Sequence, residues 1–289
     1  MSVIYNHIRQ LFKQAGLLVM VLLFAGCQQD ASVEPSTHSL DHAPAPGLVL
    51  AVPPYEMPSR IQQRFEPLVH YLSEVLNQPV SLYITHSYED QIKRLVNGEV
   101  DLAYIGPVSY LKAQKAAATA GQPLQLIAAE APYRAAVIVH ENSDITYLPD
   151  LINRSIAFGS YHSYSGHFII RQLLRLDGIY LNDLQFYSFL GRHERAIMSV
   201  VHQEFDAAAT TEGIAQRFIN NGYPIKIIRT SEFLAPTVIV ASDQLPITQR
   251  EKLIEALLFN PAPDLEFNFY DVADEEFVEV ARILHKLER

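Results

Sequence analysis

The chain has 289 residues, enough for two compact lobes, and 49% apolar with only 19% charged residues excludes a disordered protein. A net charge of −10 argues against a nucleic-acid partner, whose phosphates it would repel. It leaves a small anion open, because N–H groups and hydroxyls act locally. The only cysteine is Cys27, so neither a disulfide framework nor a thiolate metal site can be built within the chain.

Arg9 and Lys13 precede an apolar run from Ala15 to Ala25, followed by Gly26 and Cys27. A basic start, a short apolar core and small residues at its end predict a secretory signal, too short for a stable membrane span. Residues 28–46 are polar, with Pro35, Pro44 and Pro46 and no apolar period, and predict a tether. The folded part is expected to begin near Gly47.

Leu48–Val52 reads as a buried strand ended by Pro53-Pro54. Ile61, Phe65, Leu68, Val69, Leu72, Val75 and Leu76 form a helical stripe expected to start or kink at Pro67. A strand at Val80–Ile84 follows, and Ser87 with Asp90 predicts a capping box. Then come a strand at Val100–Ile105, a helix to Ala120 and a strand at Leu124–Ala129. The second half repeats the plan. Strands are predicted at Ala135–Val139, Ile156–Phe158, Leu184–Phe189, Phe205–Ala209 and Ile225–Ile228, with helices from His193 to Val201 and from Gly213 to Ile219. Pro236–Ala241 is β-like and the end is helical. Such alternation predicts an α/β fold with largely parallel sheets.

The halves also echo each other. Tyr88, Ile92, Leu95, Val96, Glu99, Asp101 and Ala103 match His193, Ile197, Val200, Val201, Glu204, Asp206 and Ala208 at identical spacing. Each segment predicts a helix, a Glu-x-Asp turn and a buried strand, so two similar lobes are implied, not a solenoid. The first turns of the paired helices, carrying Tyr88 and His193, would then face each other across an interlobe cleft.

Between a strand and a helix stands His162-Ser163-Tyr164-Ser165-Gly166-His167. At a helix start the first N–H groups lack intrahelical partners and the dipole's positive end points outward. Two hydroxyls and a glycine there suit an oxyanion without any lysine; an ordinary serine N-cap has the same local pattern. A Gly-x-Ser-x-Gly elbow is missing, which argues against a hydrolase. His162, His167, His193 and His202 do not have the spacing of a known zinc site. No cofactor or metal is expected.

In this order the segments resemble the phosphate/phosphite/phosphonate-binding receptor family of bacterial ABC importers. The likeness runs from about Leu48 to about Val240. It rests on Val100-Asp101-Leu102-Ala103-Tyr104-Ile105-Gly106-Pro107, on Ser163-Tyr164-Ser165-Gly166, and on His193-Glu194 through Asp206-Ala207-Ala208-Ala209-Thr210. Leu23-Phe24-Ala25-Gly26-Cys27 likewise resembles the bacterial lipobox, with Cys27 as the lipidated residue. The resemblance implies a two-lobed periplasmic-binding-protein-like fold, each lobe a mixed, mostly parallel sheet flanked by helices. It divides the chain into a leader (1–27), a tether (28–46), lobe 1 (47–132), lobe 2 (133–230), and a return to lobe 1 with C-terminal helices (231–289). It implies that Ser163 and Ser165, with the N–H groups of Ser165 and Gly166, hold phosphonyl oxygens. Tyr88 and Tyr104 would approach from the first lobe, His193 from the opposing helix, and Tyr133 from the crossover. Glu212 matches an acidic position that faces an amine in aminophosphonate-binding members. Asp206 is open to two roles, ligand acceptor or structural acid. Tyr164 replaces the usual threonine between the serines, and Tyr161-His162 replaces the usual Asp-Pro. The implied partners are a small phosphonate, phosphite or phosphate-like oxyanion, an ABC permease and a membrane reached through the lipid, with a monomeric receptor. The alternative is a lipid-anchored sensor or presenter of the same fold, since Gln28 follows Cys27 where outer-membrane sorting would be favoured.

Overall fold

The computed structural model describes residues 47–263 and 265–288; the expected lipidation site Cys27 and the tether to Pro46 lie outside the described residues. The chain lays down β1 (Leu48–Val52), α1 (Pro58–Leu76), β2 (Val80–Ile84), α2 (Tyr88–Val96), β3 (Leu102–Ile105), α3 (Pro107–Thr119) and β4 (Gln125–Glu130). It then crosses to a second sheet made of β5 (Ala135–His140), β6 (Ser155–Phe158), β7 (Phe186–Phe189), β8 (Ala207–Thr211) and β9 (Ile225–Thr230). Helices α4 (Ile169–Leu176), α5 (His193–Val201) and α6 (Glu212–Asn220) connect these strands. The chain returns through β10 (Val238–Ala241), α7 (Ile247–Phe259), β11 (Phe269–Tyr270) and α8 (Val278–Leu287).

The strand orders are β11-β4-β10-β3-β1-β2 and β7-β6-β8-β5-β9. Parallel pairing holds only inside the strand–helix–strand units, β1 with β2 and β3, and β6 with β7 and β8. Strands that begin at a crossing, β5 and β10, pair antiparallel with both neighbours. The reason is directional. Strands such as β3, β4 and β8 run toward the interlobe face, so a strand entering from the other lobe must run away from it. The crossings lie side by side, with Leu234 N–H donating to Tyr133 O at 2.9 Å and Ser231 N–H to Ala135 O at 3.0 Å.

Local chemistry explains the elements. Pro58 opens α1, where a missing N–H costs nothing, and Asn77 ends it in the left-handed region at φ 51°. Ile61, Phe65, Leu68, Leu72 and Leu76 are buried along one stripe, each stabilising the fold by roughly 1.5–3 kcal/mol. The helix therefore starts nine residues before the expected Pro67 and runs through it. Pro67 lies on the solvent face, where water can satisfy the carbonyl that loses its partner. Ser87 caps α2 by accepting from Asp90 N–H at 3.0 Å, while Asp90 accepts from His86 N–H instead of closing the box on Ser87. The strand β11 has two residues and no alternating pattern, and it was not anticipated from the sequence.

The repeat is real in the fold. Strand β3 begins at Leu102 and β8 at Ala207, and α2 and α5 begin at Tyr88 and His193, the same offset. Even the acids recur in one role: Asp101 accepts from Val49 N–H and Asp206 from Ser155 N–H, both at 2.8 Å. Each anchors the entry of the neighbouring strand. Helix α8 packs against α3 of the first lobe and α4 of the second through Val280, Ile283 and Leu287. No described helix is long and apolar enough to cross a membrane.

Candidate functional site

Strand β6 ends at Phe158, and the chain passes through Gly159 to His162 before Ser163 opens the next helix. Ser163 has extended backbone (φ −77°, ψ 127°), and its Oγ accepts from Gly166 N–H at 3.0 Å. The first turn, Tyr164–Phe168, is wound as a π-helix, with Ile169 N–H reaching back to Tyr164 O. Such turns widen a helix locally and recur at functional sites. The N–H groups at the start of the turn lack intrahelical acceptors.

Two further helix starts converge on this turn. His193 opens α5, and its Nε2 stands 3.5 Å from Ser163 Oγ. Tyr88 opens α2 from the other lobe and lines the same cleft as Ser163; Tyr133, in the crossover, lines it beside Ser165. Burial pushes the phenols of Tyr88 and Tyr133 up, so both keep their protons at neutral pH. Burial also depresses His193 to about 4, so its imidazole is neutral, and its Nδ1 has no hydrogen-bond partner among the described residues. Gly166 is fixed by crowding: a Cβ there would lie 2.8 Å from His193 Cε1 and 3.0 Å from Ser163 Oγ.

These groups wall a cleft of about 370 Å³ between the lobes. From the second lobe come Ser163, Tyr164, Ser165, His193 and Arg217; from the first come Tyr55, Arg64, Tyr88, Tyr104 and Glu130; Tyr133 lies between. A strap after β1 crosses the cleft. Tyr55 O accepts from His193 N–H at 3.1 Å, Met57 N–H donates to Glu194 Oε2 at 3.0 Å, and Glu56 is ion-paired with Arg217. Glu56 is the buried partner, its side chain 6% exposed against 33% for Arg217.

The sequence-predicted residues do not all arrive as expected. Ser163, Ser165, Tyr88, Tyr133 and His193 come together. Tyr164 touches the cleft but is buried in the core that includes Val280 and Ile283 of α8, so it anchors the turn. Gly166 does not line the cleft, and its N–H is taken by Ser163. Tyr104 lines it, but its hydroxyl donates to Glu130 Oε2. Glu212 is off the wall, which is built there by Thr211, Gly213 and Ile214. Asp206 is spent on Ser155, accepting from both its N–H and its Oγ. This is a structural role at the strand end remote from the cleft, and the ligand-acceptor role is set aside.

Sequence reasoning missed Tyr55, Glu56, Arg64, Glu130 and Arg217, and it named His162 in the motif without placing it on the cleft wall. Glu130 ends β4 at the carboxyl edge, a position that could have been flagged. Arg64 precedes a core phenylalanine on a long helix and reads as surface. Among the described residues no three His, Cys, Asp or Glu side chains stand close enough to share a metal ion.

Two mixed sheets flanked by helices, joined by paired crossings with a donor-lined cleft between them, define the fold of two-lobed periplasmic binding proteins. Residues 50–263 match the family model described as the phosphonate periplasmic substrate-binding protein of ABC transporters, and the chain belongs to that family. Among solved structures it is similar to PhnD1 of Prochlorococcus marinus MIT 9301 in complex with methylphosphonate, at 19% identity, TM-score 0.76, covering 83% of this chain and 98% of that one. A binding-protein component of an ABC phosphonate transporter from Pseudomonas aeruginosa is similar at 17% identity and TM-score 0.74, over 83% and 86% of the two chains. The periplasmic aliphatic sulphonate binding protein SsuA of Escherichia coli is similar at 18% identity and TM-score 0.58, over 85% and 88%.

Proposed function

We propose that this chain is an extracytoplasmic, lipid-anchored receptor that captures a phosphonate, phosphite or phosphate-like oxyanion and hands it to an ABC permease. What supports this is the convergence of Ser163, Ser165, Tyr88 and Tyr133 on one cleft, from both lobes and the crossing between them. A tetrahedral oxyanion is met by hydroxyls and helix-start N–H groups, and hydrogen bonds to a charged acceptor are about twice as strong as neutral ones. His193 contributes a neutral, buried imidazole, a hydrogen-bonding group that carries no charge of its own. The relative solved with methylphosphonate lends support to the same ligand class here.

Binding, not hydrolysis, is the chemistry these groups favour. Ser163 and His193 stand as a pair, but the far nitrogen of the imidazole has no carboxylate to orient it, and Ser163 Oγ is already accepting from Gly166. The anchor is Cys27, behind the leader and followed by the tether of residues 28–46. The purified protein, screened by thermal shift against phosphate, phosphite, methylphosphonate and methanesulfonate, is expected to be stabilised by one or more phosphorus oxyanions. Stabilisation by the sulfonate alone, or by none of the four, would contradict the assignment.

A further inference from the structure

The first-lobe wall of the cleft carries a cluster that the oxyanion site does not use. Arg64 Nη2 is ion-paired with Glu130 Oε1, and Tyr104 donates to Glu130 Oε2. Arg64 Nη1 also donates to Tyr55 Oη at 3.1 Å, and the guanidinium carbon sits 4.4 Å from the centre of the Phe267 ring. Both oxygens of Glu130 are therefore engaged by the protein. The side chains of Arg64 and Glu130 are only 22% and 19% exposed, so the pair is largely withdrawn from water. The other inward carboxylate, Glu56, is held by Arg217. Glu266 remains, at the exposed rim. Arg60, also on the cleft wall, donates to the neutral Gln63 at 2.9 Å.

An ammonium group on a ligand needs a carboxylate and an electron-rich aromatic surround. Glu130, Tyr55, Tyr104 and Phe267 make such a surround, and the cation inside it is the protein's own Arg64. We propose that Arg64 sets ligand choice in this cleft by filling the place of a ligand's ammonium, so that the site takes phosphonates with neutral or acidic substituents and rejects amino-substituted ones. This rests on the phosphonate reading of the site. To enter, an ammonium would have to displace Arg64 and leave a guanidinium without its acid, and breaking such a pair is costly. An acidic substituent meets N–H donors of Arg64 instead.

Calorimetric titration of the full-length protein with ethylphosphonate, phosphonoacetate and 2-aminoethylphosphonate tests this. The ratio of affinities within each variant is the readout, so a loss of folded material cancels. The native protein is expected to bind ethylphosphonate and phosphonoacetate at least tenfold more tightly than 2-aminoethylphosphonate. In Arg64→Met, Glu130 is released and the order of ethylphosphonate and the amino ligand should reverse; Arg64→Lys should keep the native order. Adding Glu130→Gln to Arg64→Met should abolish the reversal. A native preference for 2-aminoethylphosphonate, or a ratio unchanged by Arg64→Met, overturns the inference while leaving phosphonate binding intact. Heat from none of the three ligands overturns the phosphonate reading and the inference with it.

Discussion

Gly166→Ala is the sharpest small perturbation available. The added methyl would lie 2.8 Å from His193 Cε1 and 3.0 Å from Ser163 Oγ, well inside contact distance. His193 cannot swing away freely: it is 4% exposed, and Gly159 faces the same ring. Overpacking of this kind costs about 1–3 kcal/mol, and displacing Ser163 weakens its cap by about 1 kcal/mol more. The same displacement moves a hydroxyl away from the oxyanion position, so methylphosphonate affinity should drop by roughly tenfold or more. Urea unfolding gives the stability change and calorimetry the affinity. The cause is isolated by a double-mutant cycle: in a His193→Ala background the new methyl has room, and Gly166→Ala should cost less than about 1 kcal/mol there. Equal costs in both backgrounds would refute the crowding between Gly166 and His193.

Two more expectations rest on the described geometry and a third on the leader sequence. Burial holds both His193 and His167 at about 4, against an ordinary value of 6.5; below pH 6.5 the unfolded chain gains protons that the folded one refuses, so stability should fall as pH drops toward 4, by up to about 3 kcal/mol per histidine. His193→Gln should flatten part of that slope in urea midpoints taken at pH 7, 5.5 and 4.5, and an identical slope in the variant would show that His193 is not the group responsible. In the strap, Arg217→Met strands the buried carboxylate of Glu56 at a cost of about 3 kcal/mol, whereas Glu56→Gln leaves only the more exposed arginine. The arginine variant should therefore show the larger rise in radius of gyration by solution scattering; the reverse order would contradict the burial assignment. Cys27→Ser should move the protein from the membrane fraction to the soluble one, and retention in the membrane would count against the anchor.

Much of the fold was legible because its elements are amphipathic and bounded by local signals. Helix α5 runs from His193 to Val201 as its apolar spacing requires, and the repeat offset carries over to β3 and β8. The serine turn was legible too, since two hydroxyls and a glycine at a helix start are contiguous. Illegible features join distant segments. Arg64 with Glu130, and Glu56 with Arg217, pair residues 66 and 161 positions apart, and no local pattern announces either. Tyr104 and Gly166 show a subtler limit. Sequence names their donors but cannot say that Glu130 and Ser163 have already claimed them. Asp206 was ambiguous for the opposite reason. Its equivalence with Asp101 pointed to a shared structural duty, and the matched bonds to Val49 and Ser155 settle it.

Calorimetric titration of methylphosphonate into the native protein and into the Ser163→Ala, Ser165→Ala double variant bears most directly on the serine turn as the oxyanion site. Loss of two donors to a charged ligand, at roughly 1–3 kcal/mol each, predicts saturable binding by the native protein and a reduction of about a hundredfold or more in the variant. Native and variant isotherms that superimpose would place the ligand elsewhere and contradict the account.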